Sequence, residues 1–128
     1  MHNLTGLWSG LYRFPRWRKP VAFSASLEHS GDWLVGSTEE TVSLNLPAST
    51  TLTATLTGRV TGSEITFMKT YDRQIGGYDA VSYSGSVDPQ GMEISGTWSI
   101  AGNWSGTFLM IRASGQAETA KKKQVEKV

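Results

Sequence analysis

Apolar and polar residues alternate along most of this chain, from Gly6 to Arg112. A period of two puts successive side chains on opposite faces of a β-strand, so the pattern predicts strands with one buried face. The alternation divides into about eight segments, and none of the links between them has a helical period. Short links rich in turn-forming residues indicate antiparallel neighbours in chain order. The sequence therefore predicts an all-β meander.

A short motif, Trp-Ser-Gly-x-aromatic, occurs once at each end of the alternating region. It begins at Trp8 near the start and at Trp104 near the end. An open meander leaves two unpaired strand edges, and closure into a barrel removes them. We interpret the repeat as the seam where the first and last strands pair. The prediction is a single eight-stranded antiparallel up-and-down β-barrel over residues 1–112, with a short charged tail over 113–128 that is helical or disordered.

Strand direction sorts the connections into two groups. The tight turns at 29–32, 61–64 and 88–91 fall at one end of the predicted barrel, and the longer connections at 15–20, 41–50 and 72–77 fall at the other. One end is therefore expected to be plugged and the other to be an open mouth. The third strand, about 33–40, is ambiguous, and we prefer the face with Leu34, Gly36, Thr38 and Glu40 inward.

Composition excludes several classes of protein. The formal net charge is +1, and the segment 113–128 contributes an excess of +2, so the barrel itself is close to neutral. It therefore lacks the positive charge that nucleic-acid-binding proteins carry. Without cysteine there is no disulfide, thiol nucleophile or thiolate metal site. No apolar run is long enough for a transmembrane helix, so we expect no membrane partner. The first five residues do not have the pattern of a signal peptide, and we expect a cytoplasmic protein.

The segment Gly6-Leu7-Trp8 resembles the Gly-x-Trp signature of the calycin superfamily, which includes lipocalins, fatty-acid-binding proteins and avidins. In those families a basic residue of the last strand packs across the tryptophan and seals the closed end. The resemblance implies that Arg112 stacks on Trp8 here and donates hydrogen bonds to the backbone. Avidins are similar in length, but Ser9-Gly10-Leu11-Tyr12 stands where they grip biotin, so those contacts do not carry over. The chain is also similar to small uncharacterised bacterial barrel proteins.

Inward polar residues near the mouth are the best candidates for a site. Glu40, Lys69, Tyr71 and Asp79 are expected there, and an isolated charge inside a barrel is costly. Lys69 and Glu40 therefore form either a solvated bridge at the rim or a group that fixes the polar end of a ligand. Trp17 lies between two arginines and is a lid residue or simple packing. The candidate ligand-binding residues are Phe14, Trp17, Glu40, Lys69, Tyr71, Tyr83, Trp98 and Trp104, and Tyr78 is expected near them at the mouth.

Three functions remain open. The first is binding of a small apolar or amphipathic molecule at the open end, with a cavity of roughly a few hundred Å³. The second is a filled barrel used as a protein-interaction or structural module, in which Tyr12, Phe23, Phe67 and Phe108 meet across the axis. The third is an isomerase-like site of Lys69, Tyr71 and Asp72. His2 is terminal and His29 lies at the plugged end, so we expect no catalytic histidine, metal or cofactor, and the oligomeric state stays open.

Overall fold

The alternating segments form eight β-strands in the computed structural model, which describes residues 3–15, 19–42, 50–72, 80–100 and 104–113. Thr, Val, Ile and aromatic residues, which favour pleated backbone, supply much of each strand. The strands are β1 (Gly6–Arg13), β2 (Val21–Ser30), β3 (Trp33–Val42), β4 (Thr50–Thr61), β5 (Glu64–Tyr71), β6 (Ala80–Val87), β7 (Glu93–Ile100) and β8 (Trp104–Arg112). The predicted all-β class is confirmed, and the tail over 114–128 lies outside the described residues.

Each strand pairs antiparallel with the next, and β1 also pairs with β8, so the sheet is a closed barrel. At this seam Trp8 lies opposite Arg112, and Tyr12 lies opposite Phe108. The two Trp-Ser-Gly segments therefore lie on the paired first and last strands, as the repeated motif predicted. Closure gives each backbone edge a partner, which removes the exposed edges of an open meander.

The period of two sorts side chains between the interior and the solvent as predicted. On β2 and β5, buried and exposed residues alternate almost without exception. The ambiguous third strand follows the preferred choice, because Leu34, Thr38 and Glu40 are buried while Trp33 and Val35 are exposed. Since register fixes which face every residue of a strand shows, this result places Glu40 inside the barrel.

The described tight turns lie at the barrel end where β1 begins and β8 ends, which we call the closed end. Gly31 and Gly62 adopt φ values of 60° and 61°, the left-handed region that two-residue hairpin turns require. β2 runs to Ser30, which pairs with Trp33, so His29 is a strand residue and not part of the turn as predicted. The connections over 14–20, 43–49, 72–79 and 101–103 join strands at the opposite end, the mouth.

Aromatic rings and close backbone contacts fill the barrel interior between its two ends. Phe67 stacks on Tyr83 with ring centroids 4.7 Å apart, and Phe108 meets both rings edge to face. Gly85 and Gly96 pair on adjacent strands, where a Cβ atom on Gly96 would overlap the carbonyl oxygen of Ser84. Glycine is required there because the β6 and β7 backbones approach too closely for any side chain.

The closed end is sealed by Trp8 and Arg112. The guanidinium carbon of Arg112 lies 4.8 Å from the centroid of the Trp8 ring, and the indole is almost fully buried. Arg112 also donates hydrogen bonds to the carbonyl oxygens of Asn3, Thr5 and Gly91. One side chain thus ties β8 to the segment before β1 and to the connection after β6. The contact implied by the calycin resemblance is present.

Replacing Arg112 with methionine should lower the free energy of unfolding by about 2 to 4 kcal/mol, because a stacked cation and three backbone hydrogen bonds are lost. Arg59→Met is the matched control. Arg59 stacks on Trp33 at the same 4.8 Å and pairs with Asp32, but its side chain is 57% exposed. The control should cost less than about 1 kcal/mol. Urea unfolding of both variants measures the difference, and equal losses would contradict a special role for Arg112.

Candidate functional site

An ion pair is buried in the mouth half of the barrel. Lys69 of β5 donates a hydrogen bond of 2.8 Å from Nζ to Oε1 of Glu40 on β3. Each of the two side chains is only 1% exposed. The predicted pairing is therefore present, but the expectation of a solvated bridge at the rim is wrong. Both residues are inward members of their strands, and aromatic rings cover them.

Two tyrosines complete the polar contacts of Glu40. Tyr12 of β1 donates its hydroxyl proton to Oε2 at 2.6 Å, and Tyr71 of β5 donates to Oε1 at 2.9 Å. With Lys69, the carboxylate accepts three hydrogen bonds from three side chains. We call Tyr12, Glu40, Lys69 and Tyr71 the ion-pair cluster. Three strands that are not all neighbours supply these residues, so only the closed barrel brings them together.

Aromatic rings surround the ammonium group of Lys69. Its Nζ atom lies 4.9 Å from the ring centroids of Phe23 and Tyr71 and 5.0 Å from that of Tyr12. Burial lowers the pKa of Lys69 below its ordinary value, and the carboxylate of Glu40 opposes this shift. The ring faces carry partial negative charge, so they further stabilise the cation where water is excluded.

Burial shifts the pKa values of the tyrosines upwards, whereas it shifts that of Lys69 downwards. Burial raises the pKa of Tyr12 far above its ordinary value, and the neighbouring Tyr71 and Glu40 add to the effect. Burial also raises the pKa of Tyr83, with smaller contributions from the same two neighbours. Both phenols therefore stay protonated across the pH range in which most proteins are stable. The Tyr12 hydroxyl remains a hydrogen-bond donor to Glu40 throughout that range.

A small cavity lies on the mouth side of the ion-pair cluster, and we call it the mouth hollow. Its volume is about 50 Å³. Trp98 forms part of its wall and is held in place by a hydrogen bond of 3.0 Å from Nε1 to the carbonyl oxygen of Arg13. Phe14 meets Trp98 edge to face, with ring centroids 5.4 Å apart. The described lining residues are Tyr12, Phe14, Tyr71, Val81, Tyr83, Trp98 and Ile100.

The candidate residues from the sequence separate into three groups. Phe14, Tyr71, Tyr83 and Trp98 line the mouth hollow, whereas Glu40 and Lys69 lie in the cluster beside it. Trp17, Tyr78 and Asp79 lie outside the described residues. Trp104 begins β8, but its side chain lies outside the described part of the structure.

Sequence reasoning missed three contributors to this site. Tyr12 was placed inward only as a core residue, although its hydroxyl contacts Glu40. Val81 and Ile100 line the hollow, and alternation alone marked them as ordinary inward residues. Their positions near the mouth ends of β6 and β7 could have identified them as lining residues. Thr38 also faces inward, and its hydroxyl is buried without a hydrogen-bond partner among the described residues.

The size of the mouth hollow differs from expectation. A cavity of roughly a few hundred Å³ was expected at the mouth, and the hollow that the described residues line there measures about 50 Å³. A larger hollow of about 340 Å³ lies at the other end, between the β4–β5 turn and the connection after β6. This closed-end hollow is lined in part by Leu4, Val60 and Val87. This recess lies at the end that Trp8 and Arg112 seal.

The structure separates the residues of the isomerase-like interpretation. Asp72 is exposed and accepts hydrogen bonds from the hydroxyls of Thr53 and Thr55, so it stands apart from the buried Lys69. His29 accepts a hydrogen bond at Nδ1 from the amide of Leu4, which gives it a structural role at the closed end. Within the described ranges, no three His, Asp or Glu side chains are grouped closely enough to hold a metal ion.

No family profile matches this chain, and no curated protein matches it in sequence. Among the described residues, no helix has the length and apolar character needed to cross a bilayer. The fold and the geometry of the ion-pair cluster are therefore the observations from which function is argued.

Lys69→Met should destabilise the protein by about 3 kcal/mol, because it leaves the Glu40 carboxylate buried without its cation. The double variant Glu40→Gln with Lys69→Met removes both charges and keeps hydrogen-bonding atoms next to Tyr12 and Tyr71. It should recover most of that loss. Urea unfolding of both single variants, Lys69→Met and Glu40→Gln, and of the double variant tests this coupling. Additive losses from the separate changes would show that the two charges do not stabilise each other.

Alkaline pH should unfold this protein through its buried tyrosines. The unfolded chain releases tyrosine protons near pH 10, whereas raised pKa values keep Tyr12 and Tyr83 protonated in the folded state. Stability is therefore intact below about pH 10 and falls above it, by about 1.4 kcal/mol per pH unit for each such tyrosine.

The lowered pKa of Lys69 acts in the other direction, because the folded state releases that proton first. The contribution of Lys69 to the free energy of unfolding increases as pH rises and is complete by about pH 10.4. It therefore does not offset the loss of stability that the tyrosines cause at higher pH. Urea unfolding between pH 8 and 11 measures the net slope, and Tyr12→Phe with Tyr83→Phe should flatten it. Absorbance at 295 nm provides the check, since ionisation of all four tyrosines in still-folded protein would contradict the assignment.

Proposed function

We propose that this chain is a small-molecule-binding barrel that holds an apolar or amphipathic ligand at its open end. The observation that carries the proposal is the ion-pair cluster beside an aromatic hollow. Lys69 and Glu40 are each 1% exposed, and Tyr12 and Tyr71 bind the same carboxylate while also lining the hollow. A largely apolar pocket with a few converging polar groups is the usual form of a ligand site.

Stability alone does not account for the ion-pair cluster. Removing two charges from water costs several kcal/mol per ion, and well-packed apolar residues often replace such a pair without loss of stability. The rest of this interior is filled in that way, by Leu34, Leu56, Ile65 and similar side chains. A buried charged group with a perturbed pKa beside a pocket, as Lys69 is here, is a feature of functional sites. The cluster is therefore better explained by a ligand that it helps to position.

The walls of the mouth hollow define how a ligand enters. Tyr12, Phe14 and Trp98 meet one another edge to face, with ring centroids 5.4 to 6.1 Å apart. A volume of about 50 Å³ accepts only the end of a molecule. The remainder of the ligand lies outside the hollow, at the mouth. This geometry favours an amphipathic molecule with one inserted group.

A calycin-like relationship is part of the same proposal. It is supported by the eight-stranded closed barrel and by Arg112 stacked across Trp8 at the closed end. Calycin-type barrels bind small molecules at the end opposite this seal. The ion-pair cluster and the mouth hollow lie at that opposite end here.

A second candidate function is a filled barrel that serves as a protein-interaction or structural module. The aromatic packing of the interior favours it, because Phe67 and Phe108 are in ring contact at 6.0 Å and Tyr12 and Phe23 at 6.1 Å. Under this hypothesis the ion-pair cluster only fixes the register of the strands that it joins.

Two matched substitutions on β6 test the proposed function. Val81→Phe places a phenyl group in the mouth hollow, and Val87→Phe places the same group in the closed-end hollow. Native mass spectrometry of protein purified without added ligand should show a retained small adduct in the wild type. The adduct should be lost in Val81→Phe and kept in Val87→Phe, with circular dichroism confirming that both variants fold.

The other outcomes are equally informative. An adduct lost only in Val87→Phe would move the ligand to the closed-end hollow and contradict the proposal. A wild-type protein with no adduct under gentle ionisation would favour the filled-barrel module. Overpacking in the smaller mouth hollow should cost Val81→Phe about 1 to 3 kcal/mol, more than Val87→Phe loses in the larger hollow, so a lost adduct counts only where circular dichroism shows a folded protein.

A further inference from the structure

Three of the polar hydrogens at the mouth hollow are already used in hydrogen bonds within the protein. Tyr12 and Tyr71 donate their hydroxyl protons to Glu40, and Trp98 donates its indole proton to the carbonyl oxygen of Arg13. A phenol oxygen that donates one hydrogen bond still accepts others, so Tyr12 offers an acceptor to the hollow. Tyr83 also lines the hollow, and its hydroxyl adds one group able to donate or accept. The hollow therefore offers more acceptors than donors.

The charges around the mouth hollow are balanced. None of its described lining residues is charged, and the adjacent Glu40 and Lys69 neutralise each other at 2.8 Å. Arg13 is the last residue of β1 and lies near the mouth, but its side chain is exposed on the outer face of the barrel. A charged ligand group would therefore enter an apolar space with no counter-charge of its own, which is costly. An uncharged group avoids this cost.

The shape of the hollow selects a thin group. The ring of Trp98 is inclined at 81° to Phe14 and at 78° to Tyr12, so ring faces and edges meet at near right angles. A planar group lies against such a face while its edge meets the neighbouring ring. A volume of about 50 Å³ holds a group of only a few non-hydrogen atoms.

We infer that the inserted end of the ligand is an uncharged planar group that donates an N–H hydrogen bond, such as a carboxamide, carried on an apolar body. The donor reaches the Tyr12 oxygen, and Tyr83 supplies a matching donor to a ligand carbonyl. Balanced charge in the ion-pair cluster is what makes the site select neutral groups. This inference rests on the proposed function, because it describes the ligand of the same hollow.

Four probes of nearly equal size test the ligand class. They are benzamide, which is neutral and donates; methyl benzoate, which is neutral without a donor; benzoate, an anion; and benzylammonium, a cation. Binding is followed by the shift of the Trp98 indole N–H resonance in ¹H–¹⁵N spectra. Benzamide should bind at least about tenfold more tightly than either ion and about fivefold more tightly than methyl benzoate. Either ion binding as tightly as benzamide would overturn the inference.

Variants of the ion-pair cluster test the role of charge balance. Glu40→Gln leaves Lys69 uncompensated and should move the preference towards benzoate by about tenfold or more. Lys69→Met leaves Glu40 uncompensated and should favour benzylammonium in the same way. The double variant restores balance and should again prefer benzamide. If either single variant fails to fold, the probe preferences of the wild type and the double variant still test the inference. A double variant that binds either ion more tightly than benzamide would contradict it.

The two proposals fail separately. A wild-type protein that retains an adduct in native mass spectra, but whose Trp98 resonance responds to none of the four probes, would overturn the ligand class and leave the proposed function standing. Absence of both the adduct and every probe response would overturn both. Loss of the benzamide advantage over methyl benzoate in Tyr12→Phe is expected, and an unchanged ratio would contradict the assigned donor–acceptor contact.

Discussion

Hydrogen bonding between β1 and β8 is the constraint on which the rest of the structure depends. It turns a meander of eight strands into a cylinder with one interior, so that inward residues of distant strands face one another. Arg112 reinforces the seam by joining β8 to the carbonyl groups of Asn3 and Thr5 and by covering Trp8. Without closure, Tyr12 on β1 would not approach Glu40 on β3 and Tyr71 on β5 together.

The interior changes in character along the barrel axis. Towards the closed end it is packed with aliphatic side chains such as Leu27, Leu34 and Met110, and the middle holds the stacked rings of Phe67 and Tyr83. The mouth half contains the buried ion pair, whose desolvation is offset by hydrogen bonds from two tyrosines and by ring faces around the ammonium group. The buried ion pair and its hydrogen-bonded tyrosines therefore lie in the mouth half of the barrel.

Much of the fold could be predicted because strand side chains follow a strict period. Alternation gave the number of strands, their order and their inward faces, including the choice that put Glu40 inside. The same reasoning brought Glu40 and Lys69 together as a pair. It did not give their depth, because burial depends on how neighbouring rings such as Phe23 and Tyr12 fold over the pair. It also did not separate Asp72 from Lys69, because Asp72 follows the last residue of β5 and its contacts with Thr53 and Thr55 of β4 form only in the folded sheet.

The amino-acid sequence by itself determined the closed eight-stranded barrel, because period-two patterning and the matched ends of the chain are local signals that strand pairing converts directly into register. The sealing contact of Arg112 on Trp8 was implied by the resemblance to calycins. The tertiary structure alone decided the size and position of the two hollows. A cavity is the volume left when side chains from many strands have packed, and rings such as Phe108 and Tyr83 occupy space that no single segment specifies. For the same reason, Tyr12 became part of the candidate site only when closure placed its hydroxyl against Glu40.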